Sequence, residues 1–228
     1  MEQQSSFATA HDERYRVVLV DDDAEMLEDF AKSLRLDSSI DVLDIVTDPV
    51  YAQALIHKLR PSVALIDVEM PKIGGIELTR RVKAESPGVG VIMLTNFRHD
   101  DWLQEALEAG ADGFITKDTP REEITMAIKK VAHGGQVMST RPLRMLTENY
   151  QMAKKGADPA FEQQLGSLTA AELKVWGMIL QAKTNRQIAR ALGVEEPTVK
   201  THVARVMQKF AARSRTELLL IAARNGKI

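Results

Sequence analysis

Four short apolar runs each end in side chains that can take part in chemistry. VVLV (Val17–Val20) is followed by Asp21-Asp22, VALI (Val63–Ile66) by Asp67, VIML (Val91–Leu94) by Thr95 and GFIT (Gly113–Thr116) by Lys117. Singly, an Asp after a strand is an ordinary turn former or helix cap, and a lone Thr or Lys is structural or solvated. Jointly they say more. If the runs are neighbouring parallel strands, their ends share one sheet edge, and such sheets place function where the strand order reverses. Three carboxylates gathered there repel and need a cation to stay ionised together. An all-oxygen ligand set suits a hard ion, and Mg²⁺ with retained waters is the best match. Lys117 adds a second positive charge and Thr95 a hydrogen-bond donor. The set is therefore suited to stabilising a phosphoryl group on a carboxylate oxygen.

The elements that must position these groups are legible around them. The four runs and a fifth, VLDIV (Val42–Val46), are short, apolar and rich in β-branched residues, as strands buried on both faces should be. Helix-period segments lie between and after them at 24–36, 49–59, 76–85, 101–108 and 120–133. Gly and Pro mark the joints, Gly74-Gly75 and Gly134-Gly135 among them. Five β/α units predict a doubly wound, five-stranded parallel sheet of order 2-1-3-4-5. After Gly135 the strands stop. The expected organisation is a flexible tail over 1–13, an α/β domain over 14–134, a linker over 135–166 with one polar helix near 140–154, and a small all-α domain over 167–228.

Composition limits the function classes. The 228 residues are 44 % hydrophobic and include no cysteine, which excludes disulfides, thiolate metal sites and thiol nucleophiles. No apolar run approaches the ~20 residues of a membrane span, and the polar start is not a signal peptide, so a soluble, cytoplasmic protein is expected. The five histidines are scattered, without metal-ligand spacing. The net charge of −2 conceals an asymmetry: residues 161–228 carry 11 Lys/Arg and 5 Asp/Glu, a net +6, leaving −8 for the rest. A basic C-terminal segment points to a polyanionic partner.

The segments VLVDDD, ALIDVEMP, VIMLTN and GFITKD, with 45, 28 and 22 residues separating Asp22, Asp67, Thr95 and Lys117, resemble the receiver domain of response regulators over about residues 15–134. That resemblance implies Asp67 as phosphoacceptor, Asp22 as a direct Mg²⁺ ligand, Asp21 acting through water and the Glu69 backbone carbonyl completing the shell. Thr95 and Lys117 would grip the phosphoryl oxygens, and Phe114 matches the aromatic that turns inward when Thr95 moves. Two positions depart from the pattern. Asn96 stands where receivers place a very small residue, and Asp118 follows Lys117 where Pro is usual; Lys-Asp is a mark of the NarL/FixJ-type subfamily. Glu69 and Phe97 occupy positions at which receivers tune self-dephosphorylation.

In the rear half, Thr169-Ala170-Ala171-Glu172 is a capping box. A short amphipathic helix from Asn185 to Leu192, a turn at 193–195 and a longer helix from Glu196 to about Ala211 follow. Val199, Val203, Val206 and Phe210 form its buried stripe, and Thr201, Ala204, Arg205 and Gln208 its outer face. LTAAEL, NRQIARALGVEEPTVKTHVARVMQKF and RSRTELL resemble the LuxR-type helix-turn-helix over about residues 168–223. The resemblance implies that Lys200, Thr201 and Ala204 face base edges, that Thr198, Arg205, Lys209 and Arg215 contact phosphates, and that the last helix, 216–224, forms the dimer. Glu195 and Pro197 depart from its usual Ser and Lys.

The expectation is a regulator that accepts a phosphoryl group on Asp67 from a sensor histidine kinase and binds double-stranded promoter DNA as a homodimer. Its chemistry would be confined to its own phosphorylation and dephosphorylation. Two alternatives stand beside it: a pseudo-receiver controlled by a partner or ligand, and a Mg²⁺-dependent aspartyl phosphotransferase. Enzymes of the second kind often need an Asp two residues after the nucleophile, where this chain has Glu69.

Overall fold

The computed structural model describes residues 14–96, 102–138 and 158–227. The tail over 1–13, the helix expected near 140–154 and Phe97 lie outside the described residues.

The front half is a parallel sheet of β1 (Tyr15–Val20), β2 (Ile40–Val46), β3 (Val63–Asp67), β4 (Gly90–Thr95), β5 (Gly113–Thr116) and β6 (Val137–Met138). The order is β2-β1-β3-β4-β5-β6. The sequence predicts the first five in this order; β6 is an addition. Its two residues pair with Gly113 and Phe114, a length too short to show periodicity. The helices are α1 (Ala24–Leu34), α2 (Pro49–Leu59), α3 (Gly75–Glu85), α4 (Trp102–Ala109) and α5 (Arg121–Ala132).

Alternation along each strand sorts the core into two layers. Val18, Val20, Ala64, Ile66, Val91 and Met93 face one side, and Val17, Leu19, Val63, Leu65, Ile92 and Leu94 the other, all fully buried. Both faces are covered by helices, so strand ends are the places left where polar groups reach water. Asp23 caps α1 by accepting the Met26 amide, and Asp48 caps α2, with Pro49 in its first turn.

The rear half is α6 (Pro159–Gly166), α7 (Ala170–Leu180), α8 (Asn185–Leu192), α9 (Glu196–Lys209) and α10 (Arg215–Arg224). The predicted Thr169–Glu172 capping box forms, and a second, Thr184–Gln187, opens α8. Gly193, at φ 68°, ends α8 in the left-handed conformation that sets the tight turn before α9. Val199, Val203, Val206 and Phe210 are buried as expected. The ring of Phe210 stacks on Trp176 at 4.6 Å between centroids and 7° between planes. Phe161, which the sequence reading leaves in the linker, is buried in the same core, so α6 packs with the helical domain. No helix among the described residues is long and apolar enough to cross a membrane.

Candidate functional site

The ends of β1, β3, β4 and β5 bring Asp21, Asp67, Thr95 and Lys117 around one open cleft of about 290 Å³, with Asp22, Glu69 and Asn96 also on its walls. Asp21 and Asp67 are buried, Asp22 is exposed, and carboxylate oxygens of all three lie within 4.8 Å of one another. Lys117 bridges the two buried acids: its Nζ stands 2.6 Å from Asp21 Oδ2 and 2.9 Å from Asp67 Oδ1. The other Asp67 oxygen accepts the Glu69 amide at 3.0 Å. Burial, then the neighbouring Asp21, pushes the Asp67 carboxyl up to about 6 against the opposing pull of Lys117 and the Glu69 amide. Lys117 is raised by its two carboxylate partners, against its own burial. One ammonium bridging two of three clustered acids leaves an excess of negative charge, the condition in which a divalent cation is favoured. Asn96 is exposed at the rim of the cleft.

Two features around this cleft differ from the sequence expectation or escape it. Phe114 is fully buried and lies 5.8 Å from the Trp102 ring. The inward position expected to follow movement of Thr95 is therefore already taken up here; a phenyl ring has no hydroxyl whose hydration would hold it outside. Gly75, read in the sequence only as part of a joint, is where α3 crosses the back of the site. A Cβ there would lie 1.7 Å from the Asp67 carbonyl oxygen. The Gly74-Gly75 pair is the signal that could have identified it.

In the rear domain the turn between α8 and α9 gives a helix-turn-helix, and Thr198, Lys200, Thr201, Ala204 and Arg205 are exposed along α9. Two expected phosphate contacts are not presented this way. Arg215 is buried, bonding Asn185 Oδ1 at 3.1 Å and the Lys183 carbonyl. Burial lowers it to about 10. Lys209 donates to the Ser167 carbonyl and to Glu172, both at 2.7 Å, tying the end of α9 to the start of α7. That bond and the capping amide hold Glu172 at about 2.

Comparison with known proteins agrees with both halves. Residues 17–129 match the response regulator receiver domain, and residues 166–222 match the luxR family of bacterial regulatory proteins. The transcriptional regulatory protein YxjL of Bacillus subtilis is 33 % identical over 94 % of this chain and 97 % of its own length. The DNA-binding transcriptional activator DevR/DosR of Mycobacterium tuberculosis is 31 % identical, over 91 % and 93 %. The chain belongs to the LuxR-type response regulators. Among solved structures, the response regulator ChrA of a heme-sensing two-component system is 26 % identical, with a TM-score of 0.52 over 95 % of this chain and all of ChrA.

In this response regulator the DNA-binding domain is docked on the receiver. His133, just after α5, accepts from or donates to Tyr15 Oη through Nε2 at 3.0 Å and meets Glu196 Oε1 through Nδ1 at 3.1 Å. Because a carboxylate only accepts, Nδ1 is the donor to Glu196. The His133 carbonyl accepts the Asn185 amide, and the Glu108 carbonyl accepts Arg213 Nη1 at 2.7 Å. Leu220 of α10 packs against the receiver core. The recognition helix α9 is thus held at its first turn, with Lys200 3.8 Å from the engaged Glu196, and the expected dimer helix is partly covered.

Proposed function

We propose that this response regulator is a phosphorylation-dependent transcription regulator whose phosphoacceptor is Asp67 and whose phosphorylated form binds double-stranded promoter DNA as a homodimer, in the cytoplasm. The observation that carries the reading is the convergence of Asp21, Asp22, Asp67 and Lys117 within one cleft. The site chemistry fits Mg²⁺, with Asp22, Asp67 and the Glu69 carbonyl as ligands and Asp21 acting through water. The ion would neutralise the developing phosphoryl charge. An Asp67 oxygen attacks the phosphorus held on a histidine of the sensor kinase; the P–N bond breaks and its electron pair stays on the imidazole. Lys117, already 2.9 Å from Asp67, moves with the new phosphoryl oxygens, and Thr95 donates to another.

DNA recognition falls to the exposed side of α9, with Lys200, Thr201 and Ala204 toward bases and Thr198 and Arg205 toward phosphates. The docked arrangement is the resting one. A phosphoryl group shifts the equilibrium by its different affinity for docked and released forms, freeing α9 and α10 together. The test is to incubate the full chain with Mg²⁺ and acetyl phosphate and map the modification by mass spectrometry. Labelling should appear on Asp67 and require Mg²⁺; undiminished labelling of Asp67→Asn would refute the assignment. Operator binding as tight before phosphorylation as after it would favour a pseudo-receiver.

A further inference from the structure

Between the two domains lies a cleft of about 200 Å³, walled by carbon from both sides: Val89 and Val131 from the receiver, Val203 and Met207 from α9. Arg215 and Lys200 also line it. Arg215 is 4 % exposed. Its two outer nitrogens are held by neutral oxygens, and its Nε has no hydrogen-bond partner among the described residues. Asp112 attracts it from a distance, but that carboxylate already accepts from the buried Lys83 and from the Val91 amide. Glu196, whose carboxylate lies 3.8 Å from Lys200, is engaged by His133. The cleft therefore has a buried cation without a contact counter-ion among the described residues, set in mostly apolar walls, and such a charge is costly until an anion pairs with it.

We propose that this interdomain cleft is a binding site for a small organic carboxylate with an apolar body. The volume lies below the roughly 300–1,000 Å³ of drug-sized sites, which restricts the ligand to a single small ring or short chain. One buried guanidinium matches a monoanion. Inorganic phosphate fits less well, because most of the wall is carbon, Val131, Val203 and Met207 among it, and phosphate oxygens facing it would lose water without compensation. Both domains wall the cleft, so an occupant stabilises the docked arrangement and opposes release of α9. The site is separate from Asp67 and does not rest on its phosphorylation.

The test is calorimetric titration of the unphosphorylated full chain with benzoate, benzamide and inorganic phosphate. Benzoate should bind one to one. Benzamide, with the same ring and no charge, should bind about tenfold more weakly or not at all, as loss of a charge-assisted hydrogen bond implies. Arg215→Gln should show the same loss. Since that change removes folding contacts, Gly88→Phe provides a second variant: Gly88 lines the cleft, and a Cβ there meets nothing within 4 Å among the described residues. It should abolish benzoate binding with an unchanged thermal unfolding profile. Asp67→Asn should bind benzoate as the parent does, which separates this site from the phosphorylation site. Equal binding of benzoate and benzamide, tighter binding of phosphate, or unaltered binding by Gly88→Phe would each overturn the proposal.

Discussion

With Mg²⁺ bound as proposed, the raised Asp67 carboxyl should make its affinity pH-dependent in a range where an ordinary carboxylate would not. The proposed Mg²⁺ would compete with the proton on Asp67, because only the ionised form is a ligand. Its value moves from the usual 3.8 to about 6. At pH 7 about nine in ten such groups are ionised and at pH 5 about one in ten, so apparent Mg²⁺ affinity should fall about tenfold on acidification. A carboxyl left at 3.8 would lose less than about a tenth of its affinity over that interval. The measurement is calorimetric titration of the full chain with Mg²⁺ from pH 5 to 7.5, repeated in buffers of different ionisation enthalpy to count protons released. Lys117→Ala removes the cation that holds Asp67 down, so the midpoint should move above 6. Affinity that is flat between pH 5 and 7, or that breaks near pH 4, would refute the reasoning.

The same displacement has a stability counterpart whose sign is opposite to that of most carboxylates. A carboxyl raised in the folded state binds more protons folded than unfolded. Its contribution is most favourable below about 4 and is lost as pH rises through about 6, leaving a cost of up to about 3 kcal/mol at neutral pH without metal. Mg²⁺ should recover much of that cost, so the thermal midpoint of the receiver should respond to Mg²⁺ strongly at pH 7 and weakly at pH 5.

Gly75→Ala should destabilise the receiver by about 1–3 kcal/mol, as overpacking against a backbone atom does, and slow acetyl phosphate labelling of Asp67; labelling at the parental rate would show that α3 can shift without moving the acid. His133→Ala removes the bonds to Tyr15 and Glu196, and one lost interdomain hydrogen bond of about 0.5–1.5 kcal/mol should raise unphosphorylated operator binding about two- to tenfold in a gel-shift assay; no change would mean that docking does not limit DNA binding. Lys200→Ala should lose about 1–3 kcal/mol of discrimination between operator and random duplex, whereas equal weakening on both, with a salt slope lowered by about one, would make Lys200 a phosphate contact.

The acidic site was legible because its chemistry is written at strand ends. A buried parallel strand must be apolar throughout, so the first polar residue after VALI or VIML is also the first that emerges at the sheet edge, and topology alone gathers such residues. The stripe from Val199 to Phe210 was legible for a related reason: a helix with one apolar face can bury only that face. Arg215 and Lys209 were not, because a sequence gives the sign of a charge and not its partner. Near a recognition helix both read as phosphate ligands. What commits them to the fold is Asn185 and the Lys183 carbonyl in one case, and Glu172 in the other. Those partners lie about 30 and 37 residues away in the chain and are brought near only by packing of the domain.

The docking of the two domains follows similar logic and explains a pair of glycines that the sequence marks only as a joint. Gly134 has φ +70°, and a Cβ there would meet the Asn185 side chain at 2.5 Å; one on Gly135 would meet the Lys130 carbonyl at 2.9 Å. The chain must turn back sharply after α5 and at that same point let the start of α8 approach. Glycine permits both the left-handed backbone and the close contact. His133, immediately before the pair, then stands with its ring between Tyr15 of β1 and Glu196 of α9. Through it the receiver sheet touches the first turn of the recognition helix by a chain of two hydrogen bonds that ends on the Glu196 carboxylate. Such a contact is strong enough to bias an equilibrium and too weak to lock it. A small perturbation elsewhere in the receiver can therefore outweigh it, as a switch of this kind requires.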